Sequence, residues 1–271
     1  MYRDLLVHVD GGEAGRRRVQ FAVDLAQRTG ARLSGLHVTP PAEVPPRYKP
    51  SQVAEIAAKL SAELAQDADA AATIFAEEAA QRLSDTRWFE TAGDIADGIS
   101  EKARYADLVI LGQYEWQGTP ESHPLPIAHA VVLQCGRPVL VIPASPGPSA
   151  LTRIGVAWDG SREAVRAVHD ALPLLHLAQS VEIVAVRAGD AGLDAKSLSA
   201  HLARHGIAVE IRSLQIGPAE ENESLQNQIE QGHFDLLVMG GYSHPAWFEF
   251  IFGGITRSIL LSSTIPILVS H

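Results

Sequence analysis

Short unbroken apolar runs alternate with longer stretches whose apolar residues recur at helical spacing. Leu5-Leu6-Val7-His8-Val9 is a run of the first kind and stops at Asp10-Gly11-Gly12. Such a run, bounded by turn residues, predicts a buried parallel strand. A helix follows from about residue 14 to 28, ended by Gly30. The pattern continues with a strand over 33–38, a proline-rich extended loop at 40–50, one long Ala- and Glu-rich helix over 51–84 and a strand over 87–90. It closes with a helix over 94–104 capped by Asp94, a strand over 108–111 ending at Gly112, a helix near 127–133 and a strand over 138–142. Residues 144–149 have linker composition.

The pattern then restarts. Ile154-Gly155-Val156-Ala157-Trp158-Asp159-Gly160-Ser161 repeats residues 5–12. A helix over 164–175 and strands over 181–186 and 209–213 follow. Asp235 to Gly240 repeats Asp107 to Gly112, and Ile265-Pro266-Ile267-Leu268-Val269 repeats residues 137–141. The offset is 159 − 10 = 149 at the first mark and 235 − 107 = 128 at the second, so the first half carries 21 extra residues, in the proline-rich loop and long helix. Strands alternating with helices predict two tandem α/β domains, 1–145 and 150–271. Each is a doubly wound, Rossmann-like, mainly parallel five-stranded sheet with helices on both faces. Ligands of such sheets bind beyond the carboxyl ends of the strands, where strand order reverses.

Composition narrows the function classes. The net charge of −10 disfavours a general nucleic-acid binder, which needs a basic face. The one basic run, Arg16-Arg17-Arg18, starts a helix and reads as a solvated face. No apolar run is long enough to span a membrane. Met1-Tyr2-Arg3-Asp4 leads straight into a strand rather than into a signal peptide. Cys135 is the only cysteine, which excludes an intramolecular disulfide and fits the cytoplasm.

The candidate chemistry lies in residues 235–257. The buried run Leu236–Met239 stops at Gly240-Gly241; a polar turn and Gly253-Gly254 then open a helix at Ile255-Thr256-Arg257. Strand, glycine loop and helix N-terminus together present free backbone N–H groups and the positive end of a helix dipole to an anion. Glycines also end strands and cap helices with no ligand, and that reading stands beside the first. Gly241-Tyr242-Ser243-His244-Pro245 approaches a nucleophile elbow, but Pro245 stands where a small residue is required. His201 and His205 share a helix face at a spacing compatible with metal ligation, with no evident third ligand, so a solvated face is the simpler reading. His8 and His37 read as core histidines. Trp247, Phe248, Phe250 and Phe252 are local core, a lid over the site or a hydrophobic contact for a partner.

With these motifs in place, the chain resembles the universal stress protein (UspA) superfamily in its tandem form. The carriers are residues 156–161, 235–240, the Gly253-Gly254-Ile255-Thr256 helix start and residues 265–269. Nucleotide-binding members carry Gly-x2-Gly-x9-Gly-Ser/Thr after the fourth strand. Here those positions fall on Gly240, Ser243, Gly253 and Gly254, so two of the four match. The resemblance also implies an adenine-facing aspartate, matched by Asp159, and a hydrophobic residue against the base, matched by Val186. The implied nucleotide site in the C-terminal domain comprises Trp158, Asp159, Val186, Gly240, Ser243, Gly253, Gly254, Ile255 and Thr256. No Lys or Arg lies between Gly240 and Thr256, while Glu249 does. In the first half Glu115 holds the second position and no Gly-Gly pair precedes the helix at 127, so that half is expected to lack a site.

The expectation is a cytoplasmic stress-response sensor or adaptor. It would bind ATP, another adenine nucleotide (with magnesium) or another small anion in its second domain, and would not be an enzyme beyond weak nucleotide hydrolysis. The alternative is a ligand-free, partner-binding stress protein. The expected assembly is an intramolecular pseudo-dimer through strands 138–142 and 265–269, with a homodimer and an unnamed protein partner left open.

Overall fold

The computed structural model describes residues 1–113, 127–144, 151–187, 195–215, 227, 231, 234–242 and 255–271; of residues 186–187, 213–215 and 255 it describes the backbone only. The chain forms two compact units, Tyr2–Gly112 and, together with Met1, Gln113–His271.

In the unit Tyr2–Gly112, β1 (Asp4–His8), α1 (Glu13–Thr29), β2 (Arg32–Thr39), α2 (Pro50–Phe75), β3 (Thr86–Ala92), α3 (Ile95–Ala103) and β4 (Leu108–Gly112) follow in order. The strands lie β3-β2-β1-β4 and every pairing is parallel. Connections from β1 through β3 step one way and the last returns to the far side of β1. Right-handed crossovers therefore put α3 on the face opposite α1 and α2. Strand order reverses at β1, so the crevice opens where β1 and β4 end.

Gly30, at φ 66°, ends α1 in the left-handed conformation that glycine adopts without a steric penalty. Asp94 caps α3 by accepting from the Asp97 N–H. The long helix differs from expectation. α2 ends at Phe75 and passes into a π-helical turn, Ala76–Ala80. Nothing in an Ala- and Glu-rich segment signals that change. The turn is tied to α1 by Arg16, which pairs with Glu77 at 2.8 Å and Glu78 at 2.7 Å.

In the unit Gln113–His271, α4 (Ile127–Gln134), β5 (Val139–Ile142), β6 (Arg153–Trp158), α5 (Arg162–Leu175), β7 (Ser180–Arg187), α6 (Ala195–Arg204), β8 (Glu210–Gln215), β9 (Leu236–Gly240), α7 (Ile255–Ser262) and β10 (Ile267–Ser270) are described. The strands lie β5-β10-β9-β6-β7-β8. β6 is flanked by β7 and β9, as β1 is by β2 and β4. β5 runs antiparallel to β10, with Leu140 opposite Leu268. The expected mixed α/β class with a mainly parallel sheet is thus observed.

The aspartates that mark the repeat have a structural task. Asp107 accepts the N–H groups of Arg3 at 2.7 Å and Asp4 at 3.1 Å. Asp235, 2% exposed, accepts from the Arg153 N–H at 2.8 Å and the Thr152 hydroxyl at 2.6 Å. Each pins the start of its unit's central strand, at the end of the sheet away from the crevice.

Candidate functional site

Each unit has a crevice at the carboxyl ends of its central strands, and the two are furnished differently. In the unit Tyr2–Gly112 it is filled by an arginine. Arg18 projects from α1, is 4% exposed, and donates through Nε to the His8 carbonyl at 2.6 Å and through Nη2 to the Asp10 carboxylate. A Cβ built on Gly112 would lie 1.8 Å from Arg18 Nη1. The glycine that ends β4 therefore makes room for a guanidinium belonging to the chain itself. Arg18 is not part of a solvated face, as the basic run suggests. Arg16 and Arg17 face outward, but position 18 shares the buried stripe of Val19, Ala22 and Leu25.

The surrounding polar groups are mutually satisfied. His37, 3% exposed, donates from Nδ1 to the Val9 carbonyl at 2.9 Å. Asp67 of α2 accepts from the Gly11 N–H at 2.9 Å. Burial acts to raise the Asp10 carboxyl, but the charge and hydrogen bond of Arg18 outweigh it and hold Asp10 below the ordinary carboxylate range. Burial, then Arg18, push His8 down to about 3, so it stays neutral.

In the unit Gln113–His271 the equivalent of Arg18 is Ala167, since 167 − 18 = 149. Asp159 is exposed and makes no ion pair among the described residues; its Oδ1 accepts from the Ser161 N–H at 2.9 Å. Ser161 in turn caps α5 through the Ala164 N–H at 3.1 Å. Trp158 Nε1 is buried without a hydrogen-bond partner among the described residues. Gly240 ends β9, and a Cβ there would lie 2.5 Å from Ala164 N and 2.7 Å from Glu163 C. Glycine at 240 thus lets the start of α5 close onto the end of β9, a need that stands without any ligand.

Gly241 and Tyr242 lead out of β9. Tyr242 has φ 59°, a conformation unusual for a bulky residue. Its N–H donates to Thr256 Oγ1 at 3.4 Å, so the buried hydroxyl of Thr256 joins the two sides of the loop. Its own hydroxyl shares a hydrogen bond of 2.7 Å with His129 Nδ1 on α4. His271 donates to the Gly241 carbonyl at 3.1 Å. His129 is 3% exposed, and its Nε2 is buried without a hydrogen-bond partner among the described residues. Burial first, then the charge of Arg257, bring its pKa down to about 4. The position of Tyr242 after the glycines was the one signal for this contact; nothing local pointed to His129.

Of the expected site residues, Trp158, Asp159 and Gly240 stand at the carboxyl ends of β6 and β9, which are neighbours. Thr256 reaches the same loop from α7. Val186 lies in β7 and Ile255 opens α7. Ser243, Gly253 and Gly254 lie outside the described residues, as do Glu115, Glu249 and the aromatic cluster at Trp247, Phe248, Phe250 and Phe252. Among the described residues no helix is long and apolar enough to cross a membrane.

Comparison with known proteins bears on this geometry. The profile of the Universal stress protein family matches residues 1–143. A universal stress protein from Archaeoglobus fulgidus DSM 4304 is similar in structure, with TM-score 0.67, 17% identity, and coverage of 98% of this chain and 95% of that one. A functionally unknown protein from Pseudomonas aeruginosa PAO1 aligns with TM-score 0.56 and 15% identity over 99% of this chain and 92% of its own. At such identities the likeness concerns the fold. No curated protein matches the sequence.

Proposed function

The chain belongs to the universal stress protein family, and on that premise we propose that it binds an adenine nucleotide, or another small anion, in the crevice of its second repeat. In this reading it is a cytoplasmic stress-response sensor or adaptor whose ligand sets its state, not an efficient catalyst. The observation that carries the proposal is the asymmetry between the crevices. In the first, Arg18 lies over Gly112 and pairs with Asp10. In the second, Ala167 stands in its place, Asp159 is exposed, and the buried Nε1 of Trp158 has no hydrogen-bond partner among the described residues.

A carboxylate at the end of the central strand that makes no ion pair among the described residues keeps acceptor capacity beyond its bond from the Ser161 N–H, enough for the amino group of a purine or a ribose hydroxyl. Phosphates would meet backbone N–H groups of the glycine loop and the start of α7, with Arg257 the nearest basic residue in sequence. A triphosphate would bring its magnesium with it.

Calorimetry with ATP and magnesium on the full chain tests this. Asp159→Ala is expected to weaken binding roughly tenfold to a hundredfold, the worth of a hydrogen bond to a charged group. Asp10→Ala is expected to leave it unchanged. Equal losses from both substitutions would overturn the assignment. Absence of ATP binding by the parent would favour the ligand-free, partner-binding reading, which the packing of Gly240 against α5 supports by accounting for that glycine without a ligand.

A further inference from the structure

Three histidines meet on one face of the unit Gln113–His271. His201 lies in the last turn of α6 and His205 follows its end, where the His205 N–H donates to the Leu202 carbonyl at 2.9 Å. From sequence alone these are two donors at metal-compatible spacing without a third. The fold supplies it. β6 to β7 and β7 to β8 step in the same direction across the sheet. Right-handed crossovers then place α5 and α6 side by side on one face, and His169 of α5 comes against the pair. The ring centroids are 4.8 Å apart for His201 and His205, 5.4 Å for His169 and His201, and 6.4 Å for His169 and His205.

We propose that His169, His201 and His205 form a site for a divalent transition-metal ion of the imidazole-seeking class, zinc being the type, with water completing the coordination. A zinc–nitrogen distance of about 2.0–2.1 Å and near-tetrahedral angles place ligating imidazole centroids roughly 5 Å apart, close to the spacing of this triangle. The donor nitrogens are not gathered on one point: among the described residues no three ligating groups stand preassembled. Binding would have to bring the donors together, and the soft torsion at each ring's attachment is the freedom available for it. Two of the three, His169 and His205, are exposed and free to use it.

The third has a reason to be satisfied, because the buried Nε2 of His201 has no hydrogen-bond partner among the described residues. Imidazole suits zinc, copper and nickel, whereas magnesium and calcium seek oxygen. The bound ion would staple the end of α6 to α5.

The test is titration of the tag-free, full-length protein with zinc chloride by calorimetry, with magnesium chloride as control. One zinc per chain is expected at micromolar protein, and no magnesium uptake. His169→Gln, His201→Gln and His205→Gln should each lower zinc affinity at least about tenfold, since loss of even an outer-shell partner costs that much. X-ray absorption of the zinc-loaded parent should show three imidazole nitrogens, a readout independent of whether any variant folds. Absence of stoichiometric zinc binding by the parent would overturn the proposal. So would a zinc affinity that survives all three substitutions together, a His169→Gln variant that binds as the parent does, or an absorption spectrum with fewer than three imidazoles.

Discussion

At the scale of single residues, the chemistry of this chain turns on which polar groups find a partner inside the fold. His129 is the sharpest case in the unit Gln113–His271. Its ring is buried against Tyr242 and its pKa is brought from 6.5 to about 4. A folded pKa below the unfolded one means that the unfolded chain takes up a proton the folded chain refuses. The contribution to stability is therefore complete above about pH 6.5 and is lost as the pH falls towards 4, by on the order of 2–3 kcal/mol. His8, held at about 3, adds an acid-side loss in the other unit. We expect urea unfolding to show a markedly smaller loss of stability between pH 7 and pH 4.5 for His129→Gln, which keeps a polar partner for Tyr242 but does not titrate. Parallel losses in the two proteins would show that His129 is not the group responsible. Arg18, Asp10 and His129 also mark where local pattern reading stops. A basic triplet at a helix start looks solvated, and only the three-dimensional placement of Gly112 beneath α1 shows that the third arginine points inward. Asp107 and Asp235 were legible as repeat marks, yet their hydrogen bonds to residues more than eighty positions away were not.

At the scale of elements, strand periodicity and glycine punctuation carried most of the fold. The described strands and helices lie within a few residues of where the apolar runs put them, because buried parallel strands and amphipathic helices leave strong periodic traces. The change to a π-helical turn at Ala76 left no such trace, since Ala and Glu suit either winding. The glycine loop shows how one residue type serves two needs. The sequence pattern makes Gly240 a ligand-approach residue, and the packing shows a second demand: the backbone of Glu163 and Ala164 stands where a side chain would be. Backbone cannot step aside as a flexible side chain can. Gly240→Ala should therefore cost on the order of 1–3 kcal/mol, the usual range for overpacking a well-filled site. The loss should appear in the urea midpoint of the full chain without any nucleotide present. A neutral result would mean that α5 yields easily at its N-terminus, and would return the glycine to a role that only a ligand explains.

At the scale of the whole molecule, the repeat in the sequence has a counterpart in the sheet itself. Leu140 and Leu268 occupy equivalent places in the two repeats, since 268 − 140 = 128, the offset that also relates Asp107 to Asp235. They stand opposite each other in the antiparallel pairing of β5 with β10, and both are fully buried. An antiparallel pair whose middle residue faces its own repeat equivalent while the flanking positions exchange, Ile267 opposite Val141 and Val269 opposite Val139, has local two-fold symmetry, the arrangement in which two identical strands also fit. A fragment comprising residues 150–271 keeps β10 and loses β5. Its edge would carry unpaired N–H and C=O groups beside apolar Ile267, Leu268 and Val269, the kind of edge that recruits another strand. We expect this fragment to self-associate at tens of micromolar, a working range for an interface of ordinary size, with Leu268 of one copy opposite Leu268 of the next. Light scattering should report a dimer, and Leu268→Pro, which removes a ladder donor and fixes the backbone, should return it to monomer. A fragment that is monomeric and folded without this substitution would show that β10 does not require an antiparallel neighbour, and that the match between repeat offset and strand register has no part in holding the sheet together.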